Sequence, residues 1–97
     1  MGFITVFSPE AETHLAELRR YITDQASLKV AQRFTDAIVD HCLGLNVFPN
    51  CGVPRDDLRP GLRTISFRDR VTIAYAVDSD VITILAFYTP VRISMRL

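Results

Sequence analysis

Residues 62–88 read LRTISFRDRVTIAYAVDSDVITILAFY, and this stretch decides the fold. Within it Val71, Ile73, Tyr75 and Val77 alternate with Thr72, Ala74 and Ala76. Such alternation puts the larger side chains on one face of a strand and the smaller ones on the other. Leu62 to Phe67 precedes it as a further strand, and the polar triplet Arg68-Asp69-Arg70 makes the turn between them. Asp78-Ser79-Asp80 makes the next turn, into the nearly continuous apolar run Val81 to Tyr88. An apolar run of that length without alternation predicts a central strand buried on both faces. Three strands joined by two tight turns predict an antiparallel meander.

Upstream, residues 49–61 (PNCGVPRDDLRPG) are rich in proline and glycine and read as a loop. Before the loop lie two helical patterns. Ser8-Pro9-Glu10 starts the first: Ser8 caps, Pro9 needs no donor in the first turn, and Glu10 complements the helix dipole. Ala11, Leu15, Leu18 and Ile22 recur at helical spacing, and Thr23 to Ala26 breaks the pattern. Ser27 caps a second helix whose apolar stripe runs through Val30, Phe34, Ile38, His41/Cys42 and Leu45, with Phe48-Pro49 as its end. The short connection predicts an antiparallel helical hairpin. Phe3 to Phe7 (FITVF) reads as a first strand joining the same sheet. The expected architecture is α+β, ordered β-α-α-β-β-β, with the hairpin packed on one face of an antiparallel sheet. It forms a single domain over residues 1–97.

Bulk properties bound the function. The 97 residues are 48% hydrophobic and 23% charged, with a formal net charge of zero. A chain held to nucleic acid by charge alone carries a strong basic excess, so direct sequence-specific nucleic-acid binding is not expected. Residues 1–48 hold four basic and six acidic side chains, whereas residues 49–97 hold seven arginines and five aspartates. Ten of the eleven basic residues are arginine, whose planar fork suits carboxylate and phosphate. No segment is long and apolar enough to span a membrane, and no basic-then-apolar leader is present, which predicts a cytoplasmic protein. Cys42 and Cys51 fit no metal-ligand spacing with each other or with His14 and His41. They are expected to be reduced, and no metal or cofactor is expected.

Ala31-x-x-Phe34-x-x-x-Ile38, Leu45-x-x-Phe48-Pro49-x-x-Gly52, Leu58-Arg59-Pro60-Gly61-Leu62-Arg63, Ile73-x-Tyr75-x-Val77 and Val81-x-x-Ile84-Leu85 follow one another in that order. Together they resemble the RelE/ParE toxin superfamily, nearer its ParE (plasmid stabilisation) branch than its ribosome-dependent nuclease branch. The resemblance implies the toxin of a bacterial type II toxin–antitoxin system. It implies a cognate, ParD-like antitoxin that binds the toxin in a hetero-oligomer. For the ParE branch it implies DNA gyrase as the target, and for the RelE branch messenger RNA on the ribosome. A third possibility is a non-toxic partner that only binds the antitoxin.

Metal-independent RNA cleavage needs a base, a phosphorane stabiliser and a leaving-group acid. Glu17, Lys29, His14 and His41 all fall on the predicted helices, away from the last three strands, with His14 expected on an exposed helical face. The sheet half offers arginine, aspartate and tyrosine. A nuclease would have to use Arg63, Arg92 and Tyr88. The inventory favours a toxin that binds its target without covalent chemistry. Its candidate target contacts are Arg59, Arg63, Arg68, Arg70, Tyr88 and Arg92. The alternative role of Arg63 is an ion pair with Asp56 or Asp57. Tyr75 is expected in the core with its hydroxyl at an edge, and His41 partly buried and hydrogen-bonded. The antitoxin is expected on Leu18, Ile22 and Phe34. The tail after Pro90 is expected to add Val91, Ile93 and Met95, which alternate with Arg92, Ser94 and Arg96 as an amphipathic strand does.

Overall fold

A computed structural model describes residues 3–68 and 70–89. The chain forms β1 (Ile4–Phe7), α1 (Pro9–Gln25), α2 (Leu28–Leu43), a 3₁₀ turn (Gly44–Asn46), β2 (Val53–Pro54), β3 (Leu62–Phe67), β4 (Val71–Asp78) and β5 (Val81–Tyr88). The five strands make one sheet in the order β1-β5-β4-β3-β2. β1 runs parallel to β5, and the remaining pairs are antiparallel. The helical hairpin and the meander therefore form as expected, and the first strand joins the sheet at its edge.

Both expected N-caps form. The Ser8 hydroxyl accepts the Ala11 N–H at 3.1 Å, and the Ser27 hydroxyl accepts the Val30 N–H at 3.2 Å. α1 continues through Thr23, whose hydroxyl folds back to the Arg19 carbonyl at 2.8 Å and so remains compatible with the helix. α2 stops at Leu43, short of Phe48-Pro49, and a 3₁₀ turn carries Leu45 into the core. The buried stripe of α2 is Ala31, Thr35, Ile38 and Cys42, so Val30, at 45% exposure, is a surface residue. Thr35 can be buried because its hydroxyl donates to the Ala31 carbonyl at 3.0 Å.

The main core lies between the hairpin and one sheet face. Leu18, Ile38, Cys42 and Leu45 pack there against Ile73, Tyr75, Ile82, Ile84 and Phe87. A smaller cluster of Leu62, Ala74 and Ala86 lies apart from it, with Leu85 packed against it. The loop expected over residues 49–61 contains one departure: Val53 and Pro54 pair with Thr64 and Arg63 as a fifth strand. Proline is tolerated in it because β2 is an edge.

Candidate functional site: a groove on the open face of the sheet

The strand register sorts side chains between the two faces. Tyr75 pairs with Ile84 and Ile73 with Phe87 toward the helices, whereas Ala74 pairs with Ala86 and Thr72 with Tyr88 on the open face. Leu62, Thr64 and Ser66 of β3 pair with Ala76, Ala74 and Thr72 on that same open face. Small residues at the centre of this face leave it concave. The register shifts between Ala74 and Tyr75, which leaves Leu85 as the extra residue of a bulge in β5.

The bulge falls where β1 stops. Phe7 pairs with Ile84, and beyond that point β5 has no strand on its outer side among the described residues. The start of α1 takes over the exposed edge. The Ser8 N–H donates to the Ile84 carbonyl at 2.9 Å, and its hydroxyl donates to the Leu85 carbonyl at 3.0 Å. Nearly two turns further along α1, His14 Nδ1 accepts the Phe87 N–H at 3.1 Å. Buried backbone donors need partners, and here a capping serine and a histidine supply what a strand would otherwise supply.

This geometry shapes a groove of about 460 Å³. Leu62, Thr64, Ala74, Leu85 and Ala86 make its floor, and Leu58, Arg59, Glu10, His14 and Tyr88 stand around it. Tyr88 is 52% exposed, and its ring lies 6.0 Å from that of His14 at 51°. Arg59 sits on a compact loop. The Arg55 N–H donates to the Leu62 carbonyl at 2.7 Å, and the Gly61 N–H donates to Asp56 Oδ1 at 2.9 Å. Gly61 has φ +80°, a left-handed turn position that suits glycine. The Arg55 guanidinium bonds both Asp57 oxygens at 3.1 Å, and this hydrogen bonding holds the Asp57 carboxyl below its usual range. The result is an apolar cleft edged by a guanidinium, a carboxylate, an imidazole and a phenol.

The structure divides the residues expected at the site. Arg59 and Tyr88 share the groove. Arg63 does not: it pairs with Tyr75 on the helix side of the sheet, and its guanidinium donates to the carbonyls of Asn50 at 3.1 Å and Gly52 at 2.7 Å. The ion pair with Asp56 or Asp57 considered for it does not form, because those carboxylates are used within their own loop. Arg68 and Arg70 are exposed at the β3–β4 turn, where Arg68 lies over the rings of Phe67 at 4.9 Å and Phe34 at 5.9 Å. Leu18 is 5% exposed and belongs to the core, with Ile22 and Phe34 half-buried against it. Arg92, Val91, Ile93 and Met95 lie outside the described residues.

His14 differs from expectation, and His41 is partly buried as expected but lacks a hydrogen bond at Nε2 among the described residues. His14 is half-buried against β5 and lines the groove, so one helical histidine does reach the sheet. The tertiary approach of α1 to the bulge causes this, and helical periodicity alone carries no sign of it. His41 packs edge-on against Phe67 at 5.2 Å, and its buried Nε2 has no hydrogen-bond partner among the described residues. Tyr75 is buried with its hydroxyl donating to the Pro49 carbonyl at 2.9 Å, as its place in the alternation predicts. Cys42 and Cys51 are free thiols, the first buried and the second exposed. Among the described residues no group of three or more His, Cys, Asp or Glu is arranged to hold a metal ion, and no helix is long and apolar enough to cross a membrane.

The family model for the ParE toxin of the type II toxin–antitoxin system, parDE, matches residues 5–89. The chain belongs to the ParE toxin family. The matched span of this ParE-family toxin runs from β1 to Thr89 and so includes every element that builds the groove. Among solved structures it is similar to the chromosomal ParDE TA system from P. aeruginosa, with a TM-score of 0.78 and 19% identity, covering 90% of this chain and 95% of that one. At that identity the likeness speaks for the fold. A comparison with curated proteins returned no match.

Proposed function

We propose that this ParE-family toxin acts by binding and inhibiting DNA gyrase through the open-face groove, and that a cognate ParD-like antitoxin neutralises it in a cytoplasmic hetero-oligomer. The observation that carries the reading is the convergence of Arg59 and Tyr88 over an apolar floor, within the span matched by the family. Arginine and tyrosine are the residue types that most often anchor protein interfaces, because each couples a large contact area to directed hydrogen bonds. Ile22 and Phe34 on the hairpin, with Val91, Ile93 and Met95 of the tail, are the proposed antitoxin contacts. Binding rather than cleavage is supported by Arg63, which is committed to loop carbonyls on the face opposite Tyr88. One observation favours the other reading, a ribosome-dependent endoribonuclease: an imidazole stands beside Tyr88 in the groove.

The test runs gyrase supercoiling in parallel with cleavage of ribosome-bound messenger RNA, using toxin freed of antitoxin. Inhibited supercoiling with intact messenger RNA is expected. Arg59→Ala and Tyr88→Ala should each weaken inhibition by about tenfold or more, the usual effect of removing an interface anchor. Cleaved messenger RNA with unaffected gyrase would overturn the proposal.

A further inference from the structure

We infer that His14 is a proton-sensitive positioning residue, whose neutral ring fixes the end of β5 and with it Tyr88. The inference concerns the groove to which the preceding section assigns target binding, but its geometry stands without that assignment. Phe87 is 1% exposed, and its N–H lies beyond the last β1–β5 pair. His14 Nδ1 accepts it at 3.1 Å. A backbone N–H only donates, so Nδ1 must present its lone pair, and any proton on the ring must reside on Nε2. An imidazolium has no lone pair and cannot make this contact.

The same ring touches the next residue. Tyr88 lies 6.0 Å away at 51°, so one side chain couples the Phe87 backbone to the Tyr88 phenol. Titratable and charged groups from three elements surround the ring among the described residues. Glu10 and Glu17 of α1 line a surface cleft with it, and Arg59 of the loop and Tyr88 of β5 line the groove with it. Histidine as a side-chain type changes charge within about pH 5–8. On protonation the Phe87 N–H loses the contact with His14 Nδ1, and the end of β5 that carries Tyr88 loosens.

The test is an NMR titration of the whole protein between pH 8 and pH 5. Exchange at the Phe87 amide, corrected for its intrinsic pH dependence, should rise about tenfold as the His14 ring titrates. The Tyr88 ring signals should move with the same midpoint. His14→Asn supplies a non-titrating oxygen near the position of Nδ1, and it should keep the amide protected and Tyr88 still across the range. Constant Phe87 protection while the wild-type ring titrates would overturn the inference, as would pH-dependent loss of protection in His14→Asn. Failure of the gyrase reading would appear in the supercoiling assay and leave these signals unchanged.

Discussion

The phenol oxygen of Tyr75 accepts the Gly52 N–H at 2.9 Å and so ties the middle of the sheet to the loop that follows α2. The same oxygen donates to the Pro49 carbonyl, so one buried hydroxyl satisfies both ends of a tight loop. Burial pushes the Tyr75 phenol above its ordinary range, which keeps it in the protonated, donating form. Removing it leaves a buried donor and a carbonyl without partners. Tyr75→Phe should therefore cost about 1–3 kcal/mol of stability, read as a lower urea midpoint.

Gly52 explains itself by contact rather than by backbone conformation. A Cβ there would stand 2.6 Å from the Tyr75 hydroxyl and 2.8 Å from the Thr64 carbonyl. The tyrosine belongs to the core and the carbonyl to β3, so neither yields easily. Gly52→Ala should destabilise by about 1–3 kcal/mol. Combined with Tyr75→Phe it should cost less than the sum of the two, because the second change removes one of the clashing atoms.

The two cysteines should behave oppositely. Exposed Cys51 should react with a thiol reagent at once, and buried Cys42 only on unfolding. Burial raises the Cys42 pKa from the ordinary 9.0 to about 12. A raised pKa means that stability is complete below the unfolded value and is lost as pH climbs toward the folded one. Between about pH 9 and 12 the unfolded chain ionises while the native thiol stays protonated. Urea midpoints of the wild type should consequently fall more steeply over this interval than those of Cys42→Ala.

Ser8 performs two tasks that a substitution can separate. Ser8→Ala loses the α1 cap and the bond to the Leu85 carbonyl, for a cost of about 1–2 kcal/mol in thermal or urea unfolding. Ser8→Asp retains an acceptor for the Ala11 N–H but sets a carboxylate against the Leu85 carbonyl. Because the bulge contact needs a donor at position 8, Ser8→Asp should be no more stable than Ser8→Ala, although aspartate is a good cap elsewhere.

Much of this architecture is legible in the residue order. Alternation at Val71 to Val77, caps at Ser8 and Ser27 and the apolar run of β5 are local signals, and each element forms where its pattern lies. Three features are not local. β2 is only Val53 and Pro54, too short for periodicity, and forms because β3 offers a free edge. Arg63 looks like a surface charge in sequence, yet its register beside Tyr75 delivers it to loop carbonyls. His14 looks solvated on a helical wheel, yet the bulge at Leu85 draws β5 to it. Of the expected groove residues, Arg59 and Tyr88 are brought together. No spacing rule predicts that Glu10 and His14 flank them, since the angle at which α1 leaves β1 decides it.

The parallel pairing of β1 with β5 joins residues near opposite ends of the described chain, Ile4 with Val81 through Phe7 with Ile84. In folding, β1 can pair only once β5, far along the chain, is present. The helical hairpin and then the meander can organise earlier from near neighbours, whereas the long loop that brings β1 home closes late. The groove also depends on that closure, because Ser8 and His14 reach β5 only once β1 is seated. Until β1 is seated, the outer edge of β5 and the groove beside it stay unfinished.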